Sequence, residues 1–278
     1  MAVLGLAIQS HTGIPLYLES WSGKLRAFHE GNPILISGFL AALNSFAHNY
    51  HQDIGYIRFH PTDFPDDPYG IDGIYTFIGE FMILCFTDPY QFHRQVHNKM
   101  QWIYSKVLFQ YEDMIRVGKV PDLTDQEQRF IYDILMDSYA YEYIFAKREQ
   151  LTIDAEKIMV EEYPEDIFGC CITSFDNTIL FQHGMTRDEI ETYLNNIGSK
   201  GADLQDGEIL HNYVPLPGLE PRLVVMSNPG VKLQISDILE DIAGEGAVPF
   251  YYYLITDANC TIGPIVESLF TKFNSVLI

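Results

Sequence analysis

The sequence predicts an α+β protein made of two tandem copies of one unit, each running β-β-α-β-β-β-α with small local additions. Three observations predict it. Val3-Leu4-Gly5-Leu6-Ala7-Ile8-Gln9-Ser10 aligns without gaps to Ile167-Phe168-Gly169-Cys170-Cys171-Ile172-Thr173-Ser174, an offset of 164. Phe81-Met82-Ile83-Leu84-Cys85-Phe86-Thr87-Asp88 aligns to Phe250-Tyr251-Tyr252-Tyr253-Leu254-Ile255-Thr256-Asp257, an offset of 169. The length of 278 residues also suits two domains of about 150 residues each. Strands draw on few residue types, so either match alone is weak. Both in one order, at nearly one offset, point to a duplication.

Each half opens on a hairpin. The first match continues across a turn, with Leu16-Tyr17 facing Leu180-Phe181 and Gly13 facing Asn177. Gly and Asn suit the positive φ that tight hairpin loops require. In the first half, Asn32-Pro33 supplies a cap and an N1 proline for a helix. Its apolar face is read at Leu35, Phe39, Ala42, Leu43, Phe46 and Tyr50. Strands near 54–60 and 73–78 follow, separated by an acidic, proline-rich loop.

The matched late strand ends in Thr-Asp and leads to an amphipathic helix in both halves. Val96, Met100, Tyr104, Val107 and Leu108 fall opposite Ile265, Leu269, Phe273, Val276 and Leu277 at helical spacing. Asp88-Pro89 reads as cap and first-turn proline; Thr261 is the cap of the second copy, with Pro264 in its first turn. Thr124 and Glu127 then form a capping box. It opens a helix whose apolar positions are Phe130, Ile131, Ile134, Leu135, Tyr141 and Phe145.

In the second half, Thr186 and Glu189 form another capping box. Their helix carries Ile190, Tyr193, Leu194 and Ile197 and stops at Gly198. Strands near 209–214 and 222–227, a short helical insertion at 235–243, the strand at 250–255 and a last helix complete it. The domains are set at 1–150, with an extra C-terminal helix, and 165–278, joined by a helical extension at 151–164.

Composition narrows the role. There are 38 carboxylates against 17 Lys and Arg, a net charge of −21. Such a surface repels nucleic acid and anionic lipid. No stretch approaches the roughly 20 apolar residues a membrane helix needs, so no direct membrane insertion is expected. No Lys or Arg precedes Lys24, so the apolar start reads as a strand rather than a secretory signal. Cys85, Cys170, Cys171 and Cys260 lie in or beside apolar segments and read as thiols of a reducing, cytoplasmic protein.

No catalytic residue, cofactor motif or metal site emerges. Gly23-Lys24 and Gly118-Lys119 lack the spacing of a phosphate loop, and Gly244-Glu245-Gly246 lacks the third glycine. Ser37-Gly38 belongs to a helix rather than a nucleophile elbow. His93 and His97 stand one helical turn apart, but Arg94 opposes a cation there and further ligands are missing. His48 and His51 suit the C-terminal end of the first helix dipole. The loop 60–72 holds Asp63, Asp66, Asp67 and Asp72, yet its prolines and missing glutamate disfavour calcium. It reads either as a solvated loop or as a recognition loop, with Phe64, Asp66, Asp67 and Tyr69 meeting a basic partner. Tyr139, Tyr141, Tyr143 and Phe145 alternate along a helix and cannot share one face. They pack between the domains or form a protein-binding surface, with Tyr139 and Tyr143 the candidates.

With the hairpin first and a helix between strands two and three, the order resembles the longin fold of the roadblock/longin superfamily. The carriers are Leu6-Ala7-Ile8-Gln9-Ser10 with Gly13-Ile14-Pro15-Leu16-Tyr17, and the matching run from Cys170 to Phe181. Ile36-Ser37-Gly38-Phe39 is similar to archaeal longin-type proteins related to eukaryotic trafficking subunits. The resemblance implies, in each half, a five-stranded antiparallel sheet with helices on both faces. It also implies a non-enzymatic scaffold that binds or regulates a Ras-like small GTPase, or pairs with a longin or roadblock subunit in a trafficking-type complex, possible homo-oligomers included. The first helix and adjacent strand edges are then the expected surfaces. A small-molecule-sensing module of PAS or profilin type is the alternative.

Overall fold

A computed structural model describes residues 3–25, 33–51, 54–60, 69–197, 204–216, 220–234 and 247–278. The chain divides into two compact units, Met1–Met136 and Asp137–Ile278. Each is α+β around a five-stranded antiparallel sheet.

The first unit contains β1 (Val3–Ser10), β2 (Pro15–Ser20), α1 (Pro33–Asn49), β3 (Tyr56–Phe59), β4 (Ile71–Ile78) and β5 (Phe81–Thr87). After these come α2 (His93–Ile103), α3 (Glu112–Arg116) and α4 (Asp125–Leu135). The sheet order is β2-β1-β5-β4-β3. The two strands read most clearly from sequence, β1 and β5, are neighbours and are buried along their whole length. Successive side chains of a strand face opposite ways. Met82, Leu84 and Phe86 of β5 accordingly join Leu4, Ala7, Tyr75 and Leu40 of α1 in one core. On the other face Phe81 meets Tyr104 edge-on, 6.2 Å between ring centres. There α2 packs on β4 and β5, and α4 packs on α2. Val96, Met100 and Ile103 of α2 are buried, as their spacing requires.

The second unit contains α5 (Ser138–Ala146), α6 (Arg148–Glu156), β6 (Ile167–Thr173), β7 (Ile179–His183) and α7 (Arg187–Ile197). It continues with β8 (Ile209–Val214), β9 (Arg222–Ser227), the short pair β10 (Lys232–Gln234) and β11 (Ala247–Pro249), β12 (Tyr251–Asp257) and α8 (Ile262–Leu277). Its main sheet runs β7-β6-β12-β9-β8, the same order as the first. Phe273 of α8 meets Phe181 of β7 and Tyr252 of β12 edge-on. Tyr251, Tyr252 and Tyr253 are all buried, so β12 is covered on both faces.

The likeness of the two units extends to register. Leu6, Ala7, Ile8 and Gln9 pair with Cys85, Leu84, Ile83 and Met82. Cys170, Cys171, Ile172 and Thr173 pair with Leu254, Tyr253, Tyr252 and Tyr251, the positions aligned with them in sequence. The hairpins share a register shift, between Ile8 and Gln9 and between Ile172 and Thr173. Their loops close alike. Gly13 N donates to Ser10 O and Asn177 N to Ser174 O, at 2.9 and 3.0 Å. Gly13 has φ +85° and Asn177 φ +78°, as their residue types predict.

Several elements depart from the sequence expectation. The helix expected from Thr124 to Phe145 breaks at Asp137, whose φ of +52° is left-handed. The later part, α5, packs with α6 on β7 of the second unit. Asp88-Pro89 does not cap α2, which begins at His93 after Phe92. Asp88 instead receives Lys24 Nζ at 3.1 Å, while Gln91 N closes a turn on its carbonyl. Thr261 stands at the start of α8 with no side-chain cap bond. Both capping boxes form, Thr124 with Glu127 and Thr186 with Glu189. Asn32, Gly198 and the insertion at 235–243 lie outside the described residues.

Candidate functional site

Sequence spacing puts Leu35, Phe39, Ala42, Leu43, Phe46 and Tyr50 on the inward face of helix α1, and the structure corrects this: Phe39, Ala42, Phe46 and Tyr50 are exposed. The helix is apolar almost all round, PILISGFLAALNSFAHN, so another face can equally serve as the inward one. The sheet selects Ser37 and Leu40, both buried. Gln9 Nε2 on β1 donates to Ser37 O at 3.2 Å and fixes the helix against the hairpin. Phe39, Ala42, Phe46 and Tyr50 therefore turn outward. Phe39, Phe46 and Tyr50 are 56%, 63% and 65% exposed. Steps of three and four keep them on one face. The rings of Phe46 and Tyr50 lie 5.0 Å apart. In the second unit the helix at the corresponding place, α7, buries Ile190, Tyr193, Leu194 and Ile197. A solvent-facing aromatic row on a helix marks an interaction surface rather than a core.

A second cluster stands at the β3 edge of the first sheet. Arg58 and Asp72 face each other in the β3–β4 register. Arg58 Nε donates to Asp72 Oδ1 at 2.6 Å and Nη2 to Oδ2 at 2.8 Å. His93 Nε2, in the first turn of α2, lies 3.0 Å from the same Oδ2. The Tyr56 ring rests 4.8 Å from the imidazole. Burial pushes the Asp72 carboxyl up, but the bonds from Arg58 and His93 outweigh it and hold it below the ordinary carboxylate range. Burial, with His93 alongside, pushes the His97 imidazole down. Thus His93 is committed to a carboxylate rather than paired with His97 around a metal. Among the described residues, no group of three His, Cys, Asp or Glu side chains could hold a metal ion.

The sequence-predicted partner residues scatter. Phe64, Asp66 and Asp67 lie outside the described residues. Tyr69 is half-buried just before β4. Tyr139 and Tyr143 both lie on α5 of the second unit, and the structure separates their roles. Tyr139 is exposed. Tyr143 points inward, its hydroxyl donating to Leu277 O at 2.5 Å and its ring stacked on Phe250 at 6.1 Å. Lys147 Nζ sits over that ring at 4.9 Å and donates to Val276 O at 2.6 Å. Tyr143 ties α5 to the end of α8. Its neighbours Tyr141 and Phe145 face solvent instead, stacked on each other.

No family model matches this sequence, and no curated protein matches it. Among the described residues, no helix is long and apolar enough to cross a membrane.

Proposed function

We propose that this chain is a non-enzymatic interaction protein of the longin type. It binds or regulates a Ras-like small GTPase, or another longin or roadblock subunit, through the outward face of α1. The observation that carries this reading is the aromatic row Phe39, Phe46 and Tyr50, left open on α1 while α7 buries its own apolar row. The five-stranded antiparallel sheet that recurs in both units supports it, since the resemblance implies one such sheet in each half. The strong negative charge supports a protein rather than a nucleic acid or lipid partner.

The test is affinity capture from source-cell lysate with GDP, with a GTP analogue and without nucleotide, using wild type and Phe46→Glu. Enrichment of a Ras-like GTPase or a longin or roadblock protein by wild type, lost in the variant, supports the reading. Preference for the nucleotide-free GTPase identifies exchange activity. Recovery of neither protein class overturns it in favour of a small-molecule-sensing module.

A further inference from the structure

We infer that the free edge of β8 pairs antiparallel with β8 of a second copy of this chain, joining two sheets through a two-fold axis at His211. Among the described residues β8 is the last strand of its sheet, so half of its backbone N–H and C=O groups lie outside the ladder. Asn228 N donates to Glu208 O at 3.0 Å. Counting on by twos along the unbroken β8–β9 register, Leu210 and Asn212 turn their backbone into the sheet. Ile209, His211 and Tyr213 turn theirs outward. Exposed edges are ordinarily guarded by charge, proline or a covering element. The other three edges follow that rule: β2 opens on Pro15 and carries Glu19, β3 carries Arg58, and α5 and α6 pack on β7. Strand β8, Ile209-Leu210-His211-Asn212-Tyr213-Val214, holds no Asp, Glu, Lys, Arg or Pro. Its edge is unguarded.

The occupant follows from the strand's own sequence. Ile209, His211 and Tyr213 share one side-chain face, and Ile209 and Tyr213 are 44% and 59% exposed. In an antiparallel pair centred on His211, Ile209 falls opposite the second copy's Tyr213, and Tyr213 opposite its Ile209. Each exposed apolar side chain is covered by the other, an aromatic–β-branched cross-strand pair made twice by symmetry. Of the two-fold registers, only this one also sets all three outward-facing backbones against one another within β8. The charge nearest in sequence, Glu208, falls opposite Val214. It therefore stands six residues from the second copy's Glu208, about 20 Å along the strand. That exceeds the Debye length of about 8 Å at physiological salt. The net charge of −21 opposes the approach of two chains but does not enter the contact. Strand β8 belongs to the second unit, and its pairing does not rest on the role proposed for α1.

Sedimentation velocity of the full chain, from about 1 to about 100 µM, should show monomer passing into dimer. The dimer should tighten as salt is raised, because screening removes the repulsion between two acidic chains. Tyr213→Lys and Ile209→Glu should each weaken it about tenfold, since each substitution strikes both symmetric pairs. An equimolar mixture of these two variants should regain it. In the mixed dimer the new lysine faces the new glutamate at one pair, and the native isoleucine faces the native tyrosine at the other. Phe46→Glu should dimerise as wild type does, which separates β8 from the α1 surface. A monomer at every concentration overturns the proposal. So does a dimer that Phe46→Glu disperses, one that Tyr213→Lys or Ile209→Glu leaves intact, or a mixture that fails to recover. Circular dichroism of each variant confirms that a loss is not unfolding.

Discussion

Arg58 grips Asp72 across the β3–β4 pair through two hydrogen bonds, at 2.6 and 2.8 Å, from a half-open edge strand onto a fully buried carboxylate. The second unit has Tyr213 paired with Leu223 at the corresponding places. One frame therefore holds an ion pair in one copy and an apolar pair in the other. The two partners are unequal, because Arg58 can return to water and Asp72 cannot. Arg58→Met should cost about 2–3 kcal/mol, since it strands a buried charge. The double variant Arg58→Tyr with Asp72→Leu, copying the second unit, should cost less than Arg58→Met alone. Urea unfolding of the three proteins checks this.

The same pair sets an acid dependence. The folded-state pKa of Asp72 is lowered, so its stabilisation is complete above the unfolded value of about 3.9. It is lost as pH falls through the lower folded value. In Arg58→Met the carboxyl loses its main partner, and the acid-unfolding midpoint should move to higher pH. An unchanged midpoint in a pH titration followed by circular dichroism would refute this.

The hairpin loops differ in what they ask of one position. Gly13 sits in left-handed backbone and a Cβ there would lie 3.2 Å from Ala41 Cβ on α1, so Gly13→Ala should cost about 1–2 kcal/mol and Gly13→Asn should relieve only the backbone part of that. Asn177 also accepts the hydroxyl of Tyr253 at 2.8 Å. Asn177→Gly, though free in its backbone, should cost about 1 kcal/mol from that lost buried bond. Thermal melts of the single variants distinguish the two roles.

Tyr143 and Tyr139 are two residues apart and should behave oppositely. Tyr143→Ala removes the stack on Phe250 and the bond to Leu277 O, for a loss of about 3–5 kcal/mol. Tyr143→Phe keeps the ring and should lose about 1 kcal/mol. Tyr139→Ala, at an exposed site, should fall within about 0.5 kcal/mol of wild type. Denaturant midpoints measure all three.

Thiol labelling should separate the cysteines. Burial pushes the Cys170 thiol up to about 12. Cys171 is raised too, by burial and by Cys170 beside it, with Arg187 opposing in part. Cys85 is buried and Cys260 is half-exposed. Since the thiolate is the reactive form, a disulfide reagent at mildly alkaline pH should find one fast thiol, Cys260, in the folded chain and four after unfolding. Rapid native labelling of Cys170 or Cys171 would contradict the buried β6.

Read by itself, the sequence determined the features whose causes are local. The matched runs at β1 and β6 and at β5 and β12 are strands because their apolar residues run unbroken between turn signals. Gly13 and Asn177 sit at positive φ because few other residues tolerate it. The capping boxes form because both partners are three residues apart. Tertiary structure decided what depends on distant partners. Spacing put Phe39, Phe46 and Tyr50 on the inward face of α1, but the sheet took Ser37 and Leu40 and left those aromatics in solvent. Asp88 looked like a cap, but Lys24, far away in the chain, claims its carboxylate. Asp72 seemed one acid among several in a loop until β3 and His93 closed on it. Tyr143 was legible as an aromatic on a helix, yet its inward turn depends on Phe250 and Leu277, more than a hundred residues later. Short-range geometry is carried by residue type and spacing; the choice among equally apolar or equally charged faces is made by whichever surface the folded chain brings against them.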